Sequence, residues 1–190
     1  MRIIAGRFRN QALISPKTKV VRPTLSQVRA AVFNICQQDI EEALFLDLFA
    51  GSGAMGLEAL SRGAKSSTFI EQDPIAFRCL KQNIEKLKVM DECVLHGGDA
   101  IQFLERFAKK GLTFSLIYID PPYAKKGLWK DTMIPLGEKA MRIIDAKKLL
   151  QPGGSVFFET GTTGPLIDLE NLSFKNERRF ASSYLQLYQN

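Results

Sequence analysis

Residues 44–56 read LFLDLFAGSGAMG: a run that is apolar except for Asp47 passes into Ala50 and three closely spaced glycines, Gly51, Gly53 and Gly56. A continuous apolar run of strand length that ends in glycine is the pattern of a strand buried on both faces. The glycines lead into a helix expected over 54–62. The same unit recurs down the chain. STFIE (67–71) precedes a helix near 74–88, CVLH (93–96) one near 100–110, and FSLIYID (114–120) one near 130–148, while GSVFFE (154–159) follows Pro152. Strand–helix alternation specifies a parallel sheet covered on both sides. LSFKNERRF (172–180) and SYLQLYQ (183–189) have no crossover helix between them and read as an antiparallel pair. The expected fold is therefore α/β, a doubly wound, mostly parallel seven-stranded sheet with one antiparallel strand. Ahead of it, Thr24 or Ser26 is placed to cap a helix reaching Cys36, within a main domain over 24–190.

Residues 1–23 form a different unit, an extended arm or hairpin in which RIIAG and KVV are short strand-like runs interrupted by Gly6, Asn10 and Pro16. The chain carries 26 basic and 20 acidic residues, yet residues 1–38 hold seven basic residues and no acid, so the excess positive charge belongs to this end. A basic segment of this kind suits a polyanion such as nucleic acid, and equally a solvated tail. Arg2, Arg7, Arg9, Lys17, Lys19 and Arg22 are the candidates for gripping phosphates. Arg22, with Pro23, Thr24 and Arg29, is also placed to border a ligand pocket.

With 190 residues, 45% of them hydrophobic and 24% charged, the chain is long enough for one sizeable core. No apolar run reaches the roughly 18 residues a bilayer span needs. The charges in MRIIAGRFRN stand where a signal peptide has its apolar stretch, so export is not expected and the cytoplasm is the expected compartment. Cys36, Cys79 and Cys93 are far apart, without a C-x-x-C pair, and read as reduced thiols. A zinc site is not expected with His96 as the single histidine, and His96 itself reads as a strand-end residue touching solvent or backbone. No surplus amphipathic face calls for a partner copy, so a monomer is expected.

Ligands of doubly wound sheets bind beyond the carboxyl ends of the strands. There the first strand offers Asp47, Phe49, Ala50, Gly51, Ser52 and Gly53, and the second offers Glu71 and Gln72, with Glu71 placed to take both hydroxyls of a ribose. Gly51-Ser52-Gly53-Ala54-Met55-Gly56 satisfies G-x-G-x-x-G, so a nicotinamide dinucleotide stays in play, whereas no Gly-Lys-Ser/Thr follows to make a Walker loop. Asp47 would repel a pyrophosphate and attract an ammonium group, which favours S-adenosyl-L-methionine. Asp99 and Ala100, after the third strand, are candidates for the adenine end; Asp99 also reads as a helix N-cap.

The fourth strand runs into Asp120-Pro121-Pro122-Tyr123. Pro121 pushes Asp120 out of the helical region and neither proline has an N–H, so the loop presents acceptors to a ligand. Acceptors suit both hydrogens of an exocyclic amino group, and the Tyr123 ring offers a stacking face worth about 1–3 kcal/mol per base. D/N-P-P-Y in this position resembles the signature of amino-directed methyltransferases. MRIIAGRFRNQAL, RPTLSQVRAAVFN, FLDLFAGSGAMGLEALSRGA, FIEQD, GDA, DPPY and LLQPGGSVFFE together resemble, over essentially the whole chain, the RsmD-like 16S rRNA guanine-N2 methyltransferases of bacteria. Leu25-Ser26 departs from the expected Thr-Asp-like pair. The resemblance implies a Rossmann-like methyltransferase fold and S-adenosyl-L-methionine as cofactor. It also implies 16S rRNA of the small ribosomal subunit as partner, and Asp120, Pro121, Pro122 and Tyr123 as the catalytic elbow. Lys125 and Lys126 are placed either to meet a phosphate beside a flipped base or to remain solvated, and Arg178 and Arg179 read as surface charge. Competing readings are a DNA adenine or protein-glutamine methyltransferase, a non-catalytic RNA-binding protein of the same fold, and a nicotinamide oxidoreductase.

Overall fold

A computed structural model describes residues 1–16, 26–122, 125–166 and 168–190. Among them, helix α1 (Ser26–Ile35) precedes β1 (Leu44–Asp47), α2 (Ala54–Ser61), β2 (Ser66–Glu71), α3 (Pro74–Leu87), β3 (Cys93–Gly97), α4 (Ala100–Lys109) and β4 (Phe114–Ile119). Then come β5 (Lys126–Trp129), β6 (Thr132–Pro135), α5 (Leu136–Ala146), β7 (Leu150–Thr160), β8 (Ser173–Phe180) and β9 (Ser183–Gln189). Seven strands form one sheet in the order β3-β2-β1-β4-β7-β9-β8. All neighbours from β3 to β7 are parallel, and β9 runs against both β7 and β8. This is the seven-stranded, mostly parallel sheet with one reversed strand that the alternation predicts.

Alternation along the strands sorts the core into two layers. Phe45, Phe69, Leu116, Tyr118 and Phe157 face one side, beneath α1, α2 and α3. Leu46, Ile70, Ile117, Ile119, Val156 and Phe158 face the other, beneath α4 and α5. Each fully buried side chain of this size contributes about 1.5–3 kcal/mol. Local chemistry sets where the helices start. Asp73 accepts from the Ile75 and Ala76 N–H groups at 2.9 and 2.8 Å, with Pro74 at the first helical position of α3. Asp99 accepts from the Gln102 N–H at 2.9 Å to start α4. Both caps sit at the carboxyl edge of the sheet, where each strand has just ended.

The structure corrects one expectation, the helix near 130–148. Residues 126–135 do not open a helix; β5 and β6 pair as an antiparallel hairpin apart from the main sheet, and the helix begins at Leu136. The reason is local, because Pro135 drives the preceding Ile134 to extended backbone. His96 stands at the end of β3, half-buried, and its ring also stacks on Phe103 at 4.5 Å and tilts against Phe107 at 5.4 Å. The three cysteines are free thiols, two of them buried.

The first residues are tied into the same core. Arg2 and Ala12 bridge antiparallel, and Ile3 and Leu13 are buried. Glu58 of α2, fully buried, accepts from the Ile4 and Ala5 N–H groups at 2.7 and 3.0 Å. It also accepts from Arg62 Nε at 2.8 Å and lies 3.5 Å from Arg29 Nε. Asn83 of α3 clasps Ile14 through both its N–H and its carbonyl. Lys17, Lys19, Arg22, Pro23, Thr24 and Leu25 lie outside the described residues, as does Tyr123. Among the described residues no helix is long and apolar enough to cross a membrane, and no group of side chains is placed to hold a metal ion.

Candidate functional site

Strands β1 and β4 are adjacent, with Asp47 in register with Tyr118, so the glycine turn and the Asp120 elbow leave the sheet side by side. Between them opens a cavity of about 630 Å³, within the range of small-molecule sites. Of the residues singled out from sequence, Asp47, Phe49, Ala50, Gly51, Ser52, Glu71, Gln72, Asp99, Ala100, Asp120, Pro121 and Pro122 all line it. Gly53 does not line it but sets the turn: its φ is +82°, and a Cβ there would lie 2.4 Å from Leu80 Cδ1. Arg2, Arg7 and Arg9 lie outside the cavity on exposed surface. Arg2 Nη1 donates to the Asn10 carbonyl at 2.7 Å, and Arg7 pairs with Glu92.

Glu71 shapes the cavity floor. Its carboxylate accepts from the Gly51 N–H at 2.7 Å and from the Asp73 N–H at 2.6 Å, bracing the glycine turn while leaving lone pairs toward the cavity. Burial pushes its pKa up, against the pull of those two backbone donors. Asp47 is 1% exposed and accepts from the Gly56 N–H at 3.1 Å. Burial, partly offset by that bond and reinforced by the Glu71 charge, raises its pKa to about 7. A positively charged ligand would favour the ionised form of each of these acids.

The sequence did not single out Tyr118 and Glu159, which also line the cavity. Tyr118 Oη donates to Glu159 Oε2 at 2.9 Å, and Ser183 Oγ donates to Glu159 Oε1 at 2.8 Å. Burial, with Asp120, Glu159 and Asp47 nearby, holds the Tyr118 phenol protonated, its pKa well above the ordinary value. The carboxyl-edge rule that selects Glu71 selects Glu159 too, since it stands near the end of β7, but only once β7 is known to neighbour β4.

Counted over the described lining, the cavity holds six carboxylates (Asp47, Glu71, Asp73, Asp99, Asp120 and Glu159) and one lysine, Lys125. Such a field draws in a cation and opposes a pyrophosphate, which argues against a dinucleotide despite the G-x-G-x-x-G spacing. At the mouth, Asp120 is followed by Pro121 and Pro122, so backbone donors are missing there while acceptors remain.

Comparison with known proteins gives a consistent result. A family model described as conserved hypothetical protein 95 matches residues 1–189. The ribosomal RNA small subunit methyltransferase D of Haemophilus influenzae is 32% identical over 191 residues, spanning 100% of this chain and 94% of that protein. The Escherichia coli protein of the same name is 40% identical over 133 residues, 70% of this chain and 65% of its own length. Among solved structures, Escherichia coli yhhF, itself proposed to be a methyltransferase, matches with a TM-score of 0.83 at 32% identity, covering 100% of this chain and 97% of that one.

Proposed function

Given that the chain belongs to the conserved hypothetical protein 95 family, we propose that it transfers a methyl group from S-adenosyl-L-methionine to the exocyclic N2 amino group of a guanine in 16S rRNA of the small ribosomal subunit, in the cytoplasm. The observation that carries this reading is the acid-lined cavity opening beside a donor-poor Asp120-Pro121-Pro122 elbow. The names of the relatives support the rRNA assignment.

S-Adenosyl-L-methionine has an ammonium group, a sulfonium and no phosphate, and so matches a lining that holds six carboxylates and one lysine among the described residues. In this reading Glu71 takes the ribose hydroxyls, Asp99 and Ala100 the adenine, and Asp47 with Phe49–Gly53 the methionine end. Bound there, the cofactor supplies an activated methyl group whose departure leaves a neutral thioether. The chain's own work is positioning. Asp120 and the Pro121 carbonyl accept the two amino hydrogens of the extruded guanine, which turns the nitrogen lone pair out of conjugation and toward the cofactor. Tyr123, outside the described residues, is assigned the stacking face. Arg2, Arg7, Arg9, Lys17, Lys19 and Arg22 are assigned to rRNA phosphates; the Glu92 contact of Arg7 must open for it to take part.

The test is methyl transfer from labelled S-adenosyl-L-methionine to small subunits lacking the modification, naked rRNA, DNA or bulk protein. Label in N2-methylguanine of rRNA is expected; label in adenine, glutamine or nothing overturns the proposal. Asp120→Ala is expected to bind S-adenosyl-L-methionine within twofold of wild type while transfer falls by at least about 100-fold.

A further inference from the structure

The β5–β6 hairpin takes no part in the chemistry above, yet it is built onto the cavity rim. The Leu136 N–H donates to the Lys125 carbonyl at 3.0 Å and closes the hairpin's base, and both residues line the cavity. The register, Lys126 opposite Pro135 and Leu128 opposite Met133, puts these four residues on one face. Gly127, Trp129, Thr132 and Ile134 share the other face. That second face is occupied: Trp129 packs against the core, and a Cβ at Gly127 would approach Lys139 Cδ to 2.9 Å.

The outer face is exposed among the described residues. Leu128 and Met133 are 58% and 57% exposed, the highest values for large apolar side chains among the described residues. Lys126 shares their face and Lys130 stands at the turn with Asp131; Lys126 and Lys130 are exposed. Two apolar side chains set side by side, with Lys126 on their face and Lys130 at the adjoining turn, complement a polymer with flat apolar bases and a phosphate backbone. A protein partner or a lipid surface would not explain why the patch stands at the rim of a cavity to which the proposed function assigns a single base.

We propose that this face contacts the RNA substrate: Leu128 and Met133 pack against the bases left unstacked when the target guanine enters the cavity, and Lys126 and Lys130 hold the flanking phosphates. The proposal rests on the methyltransferase reading above. Apolar side chains inserted at a base step replace stacking that the extruded nucleotide gives up, and so make its extrusion easier.

The experiment uses the full chain, labelled S-adenosyl-L-methionine and small ribosomal subunits that lack the modification. Wild-type protein that labels neither subunits nor naked rRNA sinks the parent reading and the hairpin proposal with it. With wild-type transfer established, L128S/M133S is expected to lower kcat at least tenfold while S-adenosyl-L-methionine affinity and the melting temperature stay at wild-type values. K126A/K130A is expected to raise KM for subunits several-fold and to flatten its salt dependence. Transfer by L128S/M133S within twofold of wild type overturns the role of the apolar pair. A photoreactive residue at position 128 provides a second readout, independent of activity. An rRNA adduct is expected, and crosslinking to ribosomal protein alone overturns RNA as the partner.

Discussion

Asp47 is an acid that the fold keeps largely away from water, with the Gly56 N–H as a donor. Its pKa of about 7 stands above the value of about 3.9 in an unfolded chain. Between these values the folded protein holds a proton that the unfolded chain has released, so the Asp47 contribution to stability falls as pH rises through that window. Thermal melting of the ligand-free protein should therefore show a larger drop from pH 5 to pH 8 in wild type than in Asp47→Asn, which keeps an acceptor for Gly56. The opposite slope would show that Asp47 is ionised in the folded state. In the proposed function the cofactor's ammonium favours the ionised form, so calorimetry should find tighter binding at pH 8 than at pH 6, a dependence lost in Asp47→Asn. Asp47, Glu71 and Asp120 were legible in the sequence because Asp47 interrupts an apolar run and Glu71 and Asp120 each end one, places where an acid has no packing role. Tyr118 and Glu159 were not, because their pairing joins residues 41 apart through a strand order that no local pattern states.

At the level of elements, the turn into α2 depends on how closely the helix approaches the sheet. A Cβ on Gly56 would fall 2.3 Å from both Phe69 Cε1 and Ser67 Oγ, inside β2. Gly56→Ala should therefore cost about 1–3 kcal/mol through overpacking, read as a lower denaturant midpoint at unchanged m value. A melting curve that superimposes on wild type would show that α2 has room to shift. The parallel strands were legible because burial on both faces leaves them continuously apolar, as in Leu116-Ile117-Tyr118-Ile119. The β5–β6 hairpin was hidden for the opposite reason. Lys126–Pro135 mixes lysines with apolar residues, and its two-residue alternation extends over only four residues per strand.

Across the whole molecule, one buried carboxylate joins the first residues of the chain to the main sheet. Glu58 holds the Ile4 and Ala5 N–H groups and Arg62, and it is the nearby counter-charge for Arg29, which is 2% exposed. Arg29 Nη2 donates a hydrogen bond to the Arg2 carbonyl at 2.6 Å, so both chain segments meet at this point. Glu58→Gln removes the charge and leaves the guanidinium buried without it, at a cost of about 3–5 kcal/mol. For a chain of this size that is a fall on the order of 10 °C in melting temperature. A loss under 2 °C would mean that Arg29 reaches water in the variant. The far margin of the sheet has a different consequence. Strand β8 ends it with Lys175, Glu177, Arg178 and Arg179, and three of these four are exposed. A second molecule laying its own β8 antiparallel about Glu177 would set Lys175 against Arg179 and Glu177 against itself. Mutual repulsion thus guards an open row of amides and carbonyls against fibre growth in a crowded solution, with no helix needed to cover it.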